Sequence, residues 1–413
     1  MSNVAWWKEP TRAHWSAFGA AWAGWVLDAF DFTIFMLVMP NIARDMGVPN
    51  VATTGSITLT LFARLAGGYI AGAAADRWGR KLPLMISVVW FAACDAAVAF
   101  APSFGWILVL RTLFGLGMGA EWTSGTTLAM ENWPARSRGL ASGVLQGSWA
   151  IGYLLAAAVS AVVLPLWGWR ALFVCAALPA LLVFPIRFGI VENREWAAAR
   201  RTRASARAIP DARSLGRLVW AIVAMGVGFG AYYGLTALYP TLLRTELGAD
   251  ARTVAWLVAL FNVGMLAGSV ACGALAARRG VTVAIAAPAA LSILALPLYV
   301  GAVHGLLPAG AVLGGALGAG FCGVVPMMLT GMFPAQVRAR LVGIVYHAGA
   351  ALAALVPTAT AALAAWAHVS LAVSIFVVAG SCELALAVCV LTGRRLSAAS
   401  SLPTHDTALL EAA

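Results

Sequence analysis

The chain reads as a succession of apolar runs, each about 20 residues long, parted by short charged or turn-rich breaks. The runs lie near 15–40, 51–75, 83–101, 104–130, 139–164 and 169–190, then near 217–243, 252–276, 281–303, 306–332, 341–365 and 368–392. None shows the two-residue alternation of a barrel strand, and a run of this length, wound as a helix, matches the thickness of a bilayer. A helix also satisfies its own backbone N–H and C=O groups, which lipid cannot do. The pattern predicts an all-α membrane protein with twelve transmembrane helices.

One long polar stretch, residues 191–216, interrupts the sequence near its middle and holds Arg194, Arg200, Arg201, Arg203, Arg207 and Arg213. It divides a six-helix half at 1–190 from a second at 217–393, with a polar tail at 394–413. The halves repeat. Trp133-Pro134-Ala135, Arg138 and Gly143 match Phe333-Pro334-Ala335, Arg338 and Gly343 at a constant offset of 200. Gly72 to Gly79 matches Gly273 to Gly280 at nearly the same offset. An even number of spans per half makes this a parallel repeat, of the kind that packs around a site near mid-membrane in transporters.

Hydrophobic residues make up 62% of the chain and charged residues 10%, far below the roughly 25% that a soluble surface requires. The net charge of +11 points to nucleic acid only until the charges are placed. Of 27 basic residues, Arg44, Arg170, Arg244 and Arg252 fall on one side and Arg64 and Arg111 inside spans, leaving 21 on the other side. The positive-inside bias makes that side the cytoplasm, with both termini there, in a bacterial inner membrane. Nucleic acid is not needed to explain the charge. The six cysteines all lie in apolar runs and form no metal-type pair. The sequence has no GxxxxGK[ST] loop, HExxH or GxSxG, and no polar domain large enough for signalling. Pump, enzyme and receptor readings fall away, and no cofactor is expected.

Gly72-Ala-Ala-Ala-Asp76-Arg77-Trp78-Gly79-Arg80-Lys81 resembles the signature loop between the second and third spans of the major facilitator superfamily. Its glycines suit a tight turn and close helix approach, and Asp76 can latch onto a neighbouring helix end. The second-half copy carries Ala277 in place of the acid. Arg111 to Gly119, with Gly115 and Gly117, resembles the family's fourth-span motif, and the resemblance covers almost the whole chain. The fifth span lacks the Gly-Pro kink of the family's drug exporters, which favours a symporter. Leu27-Asp28-Ala29-Phe30-Asp31-Phe32, Ala120-Glu121-Trp122 and Gly147-Ser148-Trp149 are similar to the branch of proton-coupled sialate and lactate carriers. The Asp-x-x-Asp pattern also occurs in the aromatic-acid branch, usually with Gly where Ala29 stands. The resemblance implies proton-coupled uptake of a small organic acid by alternating access, by a monomer. An aromatic-acid symporter and a proton-driven drug or cation exporter are the alternatives.

Charge within hydrocarbon is costly, which makes every intramembrane ionisable group a functional candidate. Asp28 and Asp31 share one face of the first helix and resist joint ionisation, so they are the candidate proton carriers, with Glu121 next. Arg111 and Asp31 sit at similar depth, and an Asp31–Arg111 pair that opens on protonation is expected to free Arg111 for a carboxylate. The bland alternative is a permanent salt bridge. Arg64 either binds the anion or neutralises Asp28. Asp95 and Glu383, on the third and twelfth spans, are expected in structural pairs or at an interface. Gln146, Trp149 and Tyr153 on the fifth span are further candidate substrate contacts, as are Tyr232, Tyr233, Asn262, Tyr346 and His347 in the second half. Each of these also has a plain packing role open to it.

Overall fold

The computed structural model describes residues 6–188, 212–303 and 305–393; most of the 191–216 linker and the 394–413 tail lie outside the described residues. The described residues are helical throughout, without strands, as the apolar runs predict. The first four spans are Arg12–Met46, Asn50–Trp78, Lys81–Val98 and Phe104–Asn132. The fifth and sixth are joined in one helix, Arg138–Phe188, broken at Gly168 where φ is 74° and ψ 179°. The chain turns back there. Trp169 Nε1 donates to Asp45 at the end of the first span, and Phe173 packs on Phe35, deeper along that span.

Local sequence sets the ends. Thr11 and His14 form a capping box at the first span, whose C-cap is the left-handed Gly47. Asp250 accepts from the Thr253 N–H at the start of the eighth span, Ala251–Arg279, and hydrogen bonds from Thr253, its hydroxyl first and then this N–H, hold the carboxyl below the usual range. The seventh span is Ala212–Thr236 continued by Tyr239–Thr245, and the ninth is Val281–Tyr299. The tenth starts as Leu307–Leu313, passes through a π turn at Gly314–Ala319 and a 3-10 turn at Gly320–Val324, and resumes as Val325–Met332. The eleventh comprises Arg338–Ala353 and Val356–Trp366, and the twelfth is Leu371–Thr392. Large apolar side chains such as Phe62, Ile70, Leu166, Leu294 and Trp366 lie exposed on the outside of the bundle, the face a bilayer covers.

The repeat is visible in backbone geometry. Gly79 and Gly280 end the second and eighth spans with φ/ψ of 101°/161° and 86°/164°, a conformation only glycine holds without strain. Arg138 Nε donates to the Trp133 carbonyl at 3.2 Å, and Arg338 Nε to the Phe333 carbonyl at 2.9 Å. The halves also touch in equivalent places: the fifth span packs on the eighth, and the second on the eleventh. A Cβ on Gly143 would come within 2.4 Å of the Ser269 carbonyl, and one on Gly72 within 2.5 Å of Arg340 Cα. These contacts run from the signature-loop end to mid-membrane, which makes that end of the bundle the closed one.

Candidate functional site

The first and fourth spans bring most of the intramembrane charge together. Asp28, Asp31, Arg64, Asp95, Arg111 and Glu121 are all buried. Glycines of the fourth-span motif permit this: Cβ atoms on Gly115 and Gly119 would collide with the Thr60 and Arg64 carbonyls of the second span. Arg111 does not pair with Asp31 as the matched depths suggest. Its Nη1 donates to Asp95 Oδ1 at 3.0 Å, and its guanidinium lies 4.3 Å from the Phe35 ring centre and 4.0 Å from that of Phe114. Asp31 instead faces Asp95 at hydrogen-bonding range, one carboxyl removed from the arginine. The physical reason is reach: the third span packs against the fourth beside Arg111, so Asp95 takes the guanidinium first. The structural pairing expected of Asp95 is present, with a partner on the fourth span.

Arg64 occupies a different setting. It is 4% exposed, forms no ion pair with Asp28, and its Nε and Nη2 have no hydrogen-bond partner. Its guanidinium carbon lies 5.4 Å from the Trp25 ring and 5.5 Å from the Tyr346 ring. Trp122 stacks on Tyr346 with centroids 3.4 Å apart, and Trp149 lies 4.9 Å from Trp25. The indole N–H groups of Trp25 and Trp122 also lack partners, as do Gln146 Oε1 and both oxygens of Asp28. Buried polar atoms are otherwise almost always satisfied, so the Arg64, Trp25 and Trp122 donors are a place for an acceptor, and Gln146 Oε1 and Asp28 are acceptors beside it. The charged groups acting on Asp28 are Arg64 and Glu121, then Asp95 and Arg111.

The second half closes the box. Tyr346 OH accepts from Gln146 Nε2 at 3.4 Å, and Tyr232 OH from Trp149 Nε1 at 3.2 Å, each across the two halves. Tyr233 stacks on Phe229, which meets Tyr346 edge-on. Tyr153 is half-buried one turn beyond Trp149. Two candidates are otherwise engaged. His347 Nε2 lies 3.2 Å from the Gly119 carbonyl and 3.4 Å from Thr123 Oγ1, with its ring edge against Gly68, so it straps the halves together. Asn262 donates to Val258 on its own helix. Trp25 and Trp122 were not legible as lining, because a tryptophan in an apolar run carries no signal of direction.

At the signature-loop end, Asp76 accepts from the Ala339 and Arg340 N–H groups at 3.1 and 3.0 Å. These open the eleventh span, so a carboxylate of the first half caps a helix of the second. Arg80 donates from Nε and Nη2 to Glu131 at 3.1 and 2.9 Å and also reaches the Ala335 carbonyl across the halves. Arg338 donates to the same Glu131 at 3.0 Å. Arg77 lies over Trp78, and Lys81 opens the third span. Glu131 is the hub sequence reading missed.

The chain is 27% identical over 91% of its length, and 93% of the other's, to the sialic acid transporter NanX of Escherichia coli (strain K12). It is 28% identical, over 85% of its length and 84% of the other's, to a probable 4-methylmuconolactone transporter of Cupriavidus pinatubonensis. Among solved structures it superposes on the proton:xylose symporter XylE with a TM-score of 0.78 at 17% identity, covering 92% of this chain and 95% of that one. The human organic anion transporter MFSD10 gives 0.70 at 18%, covering 93% and 99%. The Major Facilitator Superfamily profile matches residues 21–245, more than half of the chain. With twelve helices in two repeated halves and a signature loop latching one half to the other, the chain is a multi-pass transporter belonging to the major facilitator superfamily and is not an enzyme.

Proposed function

We propose that this transporter carries a small organic acid together with protons, and that Arg64 is the group that grips the carboxylate. The observation that carries the reading is the buried Arg64 guanidinium, held between Trp25 and Tyr346 with two nitrogens lacking a partner. Its planar fork matches a carboxylate at two points, and the Trp25 and Trp122 N–H groups add donors beside it. Arg111, committed to Asp95, holds the acid cluster in place instead. The relatives agree with an acid cargo, since NanX is a sialic acid transporter and others transport cis,cis-muconate or 4-hydroxybenzoate.

The lining favours a planar, conjugated or aromatic acid over a hydroxylated one. Trp25, Trp122, Trp149 and Tyr346 offer faces for stacking and few acceptors for hydroxyl groups. The sialate-like reading rests on the Asp28–Asp31 and Glu121-Trp122 segments. The same box argues against a drug or cation exporter, whose cargo would meet the Arg64 charge.

Proton coupling follows from charge balance. Four buried acids, Asp28, Asp31, Asp95 and Glu121, face two buried cations, Arg64 and Arg111. An incoming carboxylate adds another negative charge to a site already rich in acids. Burial makes that excess costly, so anion entry favours protonation of Asp28, Asp31 or Glu121. With the signature-loop end in the cytoplasm, as the basic residues indicate, the described state is closed to the cytoplasm. The test is counterflow by the purified protein in liposomes, with benzoate, 4-hydroxybenzoate, muconate, lactate and sialate as competitors. Competition by planar acids that disappears in Arg64→Gln supports the reading; competition by none of the acids defeats it.

A further inference from the structure

Glu383 lies in the middle of the twelfth span with its side chain fully buried and neither carboxyl oxygen satisfied. Its Oε1 and the Ser292 hydroxyl of the ninth span converge on Gly318, where a Cβ would come within 2.9 Å of each. Leu235 of the seventh span closes the same spot, at 2.4 Å from that Cβ position. Four spans therefore meet at one glycine. Gly318 belongs to the π turn Gly314–Ala319, followed directly by the 3-10 turn Gly320–Val324. Such turns loosen the helical ladder and concentrate at functional sites.

The surroundings offer this acid no countercharge. Segments 281–299, 307–332 and 356–366, which form the ninth, tenth and late eleventh spans, contain no Asp, Glu, Lys, Arg or His. On the seventh span Arg213 and Arg217 lie 18 residues or more before Leu235, about 27 Å along a helix, and Arg244, nine residues beyond Leu235, is exposed. The titratable groups nearby are the Cys322 and Cys382 thiols, with Tyr232 and Tyr233 on the seventh span and Tyr299 on the ninth. The Tyr299 hydroxyl is spent on the Leu235 carbonyl at 2.7 Å. An ionised carboxyl here would be buried without a cation and with the Ser292 hydroxyl as its side-chain donor, whereas the neutral acid has a donor of its own that Ser292 or a loosened carbonyl can accept. Of the structural pairing or interfacial position expected for Glu383, no ion pair is present among the described residues, and Ser292 is its neighbour at hydrogen-bonding range.

We infer that Glu383 is a proton-binding site of the C-terminal half, distinct from the acids around Arg111, and that its occupancy sets the winding of the Gly314–Ala319 turn. An ionised Glu383 needs donors, and the tenth span can supply access by shifting. Its glycine face allows this: Cβ atoms on Gly315, Gly320 and Gly323 would overlap backbone atoms of Phe261, Gly268 and Ser269 in the eighth span. On this face backbone lies directly on backbone. The inference needs no substrate and stands apart from the Arg64 reading.

The experiment is infrared difference spectroscopy between acid and alkaline pH on the purified protein in nanodiscs without substrate, comparing it with Glu383→Gln. Hydrogen exchange of residues 314–324 is read in parallel. The expected result is a protonated-carboxyl band that the unaltered protein loses on alkalinisation and Glu383→Gln lacks. Exchange of 314–324, taken relative to the intrinsic amide rate at each pH, should rise several-fold with that loss, in the unaltered protein alone. Ser292→Ala, which keeps the acid, should shift the pH midpoint of the same band. A band unaffected by pH, or exchange that rises equally in Glu383→Gln, overturns the inference. So does loss of the band on adding sodium at constant acid pH, which would make this a metal-cation site.

Discussion

Arg111 donates to Asp95 at 3.0 Å with both side chains buried, so the charge of the fourth span is already matched before any substrate enters. Removing one partner of such a pair strands the other, at a cost of about 3–5 kcal/mol. Asp95→Ala should therefore express poorly and melt at a much lower temperature. Arg111→Lys, which keeps a charge for Asp95, should leave substrate affinity within about twofold, whereas Arg64→Lys should weaken it about tenfold, the equivalent of ~1.4 kcal/mol. Substrate-dependent tryptophan quenching reads both. A larger loss in Arg111→Lys than in Arg64→Lys would return the anion site to Arg111.

The latch at the signature loop makes a kinetic prediction. Asp76 accepts two N–H bonds at the start of the eleventh span, and Asn offers only one acceptor there. A bond to a charged group contributes about 1.5–3 kcal/mol, so Asp76→Asn should shift the closed-to-open balance by at least about tenfold. Turnover should fall by that order while substrate affinity changes little, because the loop is remote from Arg64. Normal counterflow rates in Asp76→Asn would show that the latch is dispensable.

Two glycines of the fifth span separate closure from packing. A Cβ on Gly143 would meet the Ser269 carbonyl at 2.4 Å, backbone that cannot step aside. A Cβ on Gly147 would meet Leu266 Cδ1 at 2.6 Å, the end of a flexible side chain. Gly143→Ala should hold the halves apart and abolish transport in a folded protein, and Gly147→Ala should keep most of its activity. Equal activity in the two variants would mean that the fifth and eighth spans do not close as described.

Much of the fold was legible because lipid leaves so few choices. Run length gave the spans, basic residues gave an orientation, and the Trp133–Arg138 and Phe333–Arg338 segments gave a repeat that the matching arginine clamps bear out. That Asp76 would meet a neighbouring helix end was legible too, since an acid beside a glycine turn has few other uses. The partner of Arg111 was not. Depth along a helix can be counted from sequence, but the side of the helix that faces a neighbour cannot, and Asp95 comes from a span expected to be peripheral. For the same reason Glu131 gave no sign that it would join a network, and Trp122, although part of the Ala120-Glu121-Trp122 segment, none that its ring would line an aromatic box.

The last prediction concerns coupling. Asp31 faces Asp95, which Arg111 already neutralises, so Asp31 is the member of that group left without a cation of its own. Asp31→Asn imitates its protonated form permanently. Such a variant should exchange labelled for unlabelled acid, because exchange requires only the loaded carrier to change sides. It should fail to accumulate substrate when the liposome interior is more alkaline than the outside, since the unloaded carrier can no longer release and rebind that proton. Asp28→Asn is the contrasting case: it removes an acid whose charge Arg64 feels, so it should tighten anion binding while coupling through Asp31 survives. Uptake and counterflow in the same vesicles distinguish the two. Should Asp31→Asn concentrate substrate against its gradient, the proton travels on Asp28, and Asp28→Asn then becomes the variant that exchanges without accumulating; if it too accumulates, Glu121 is the remaining carrier.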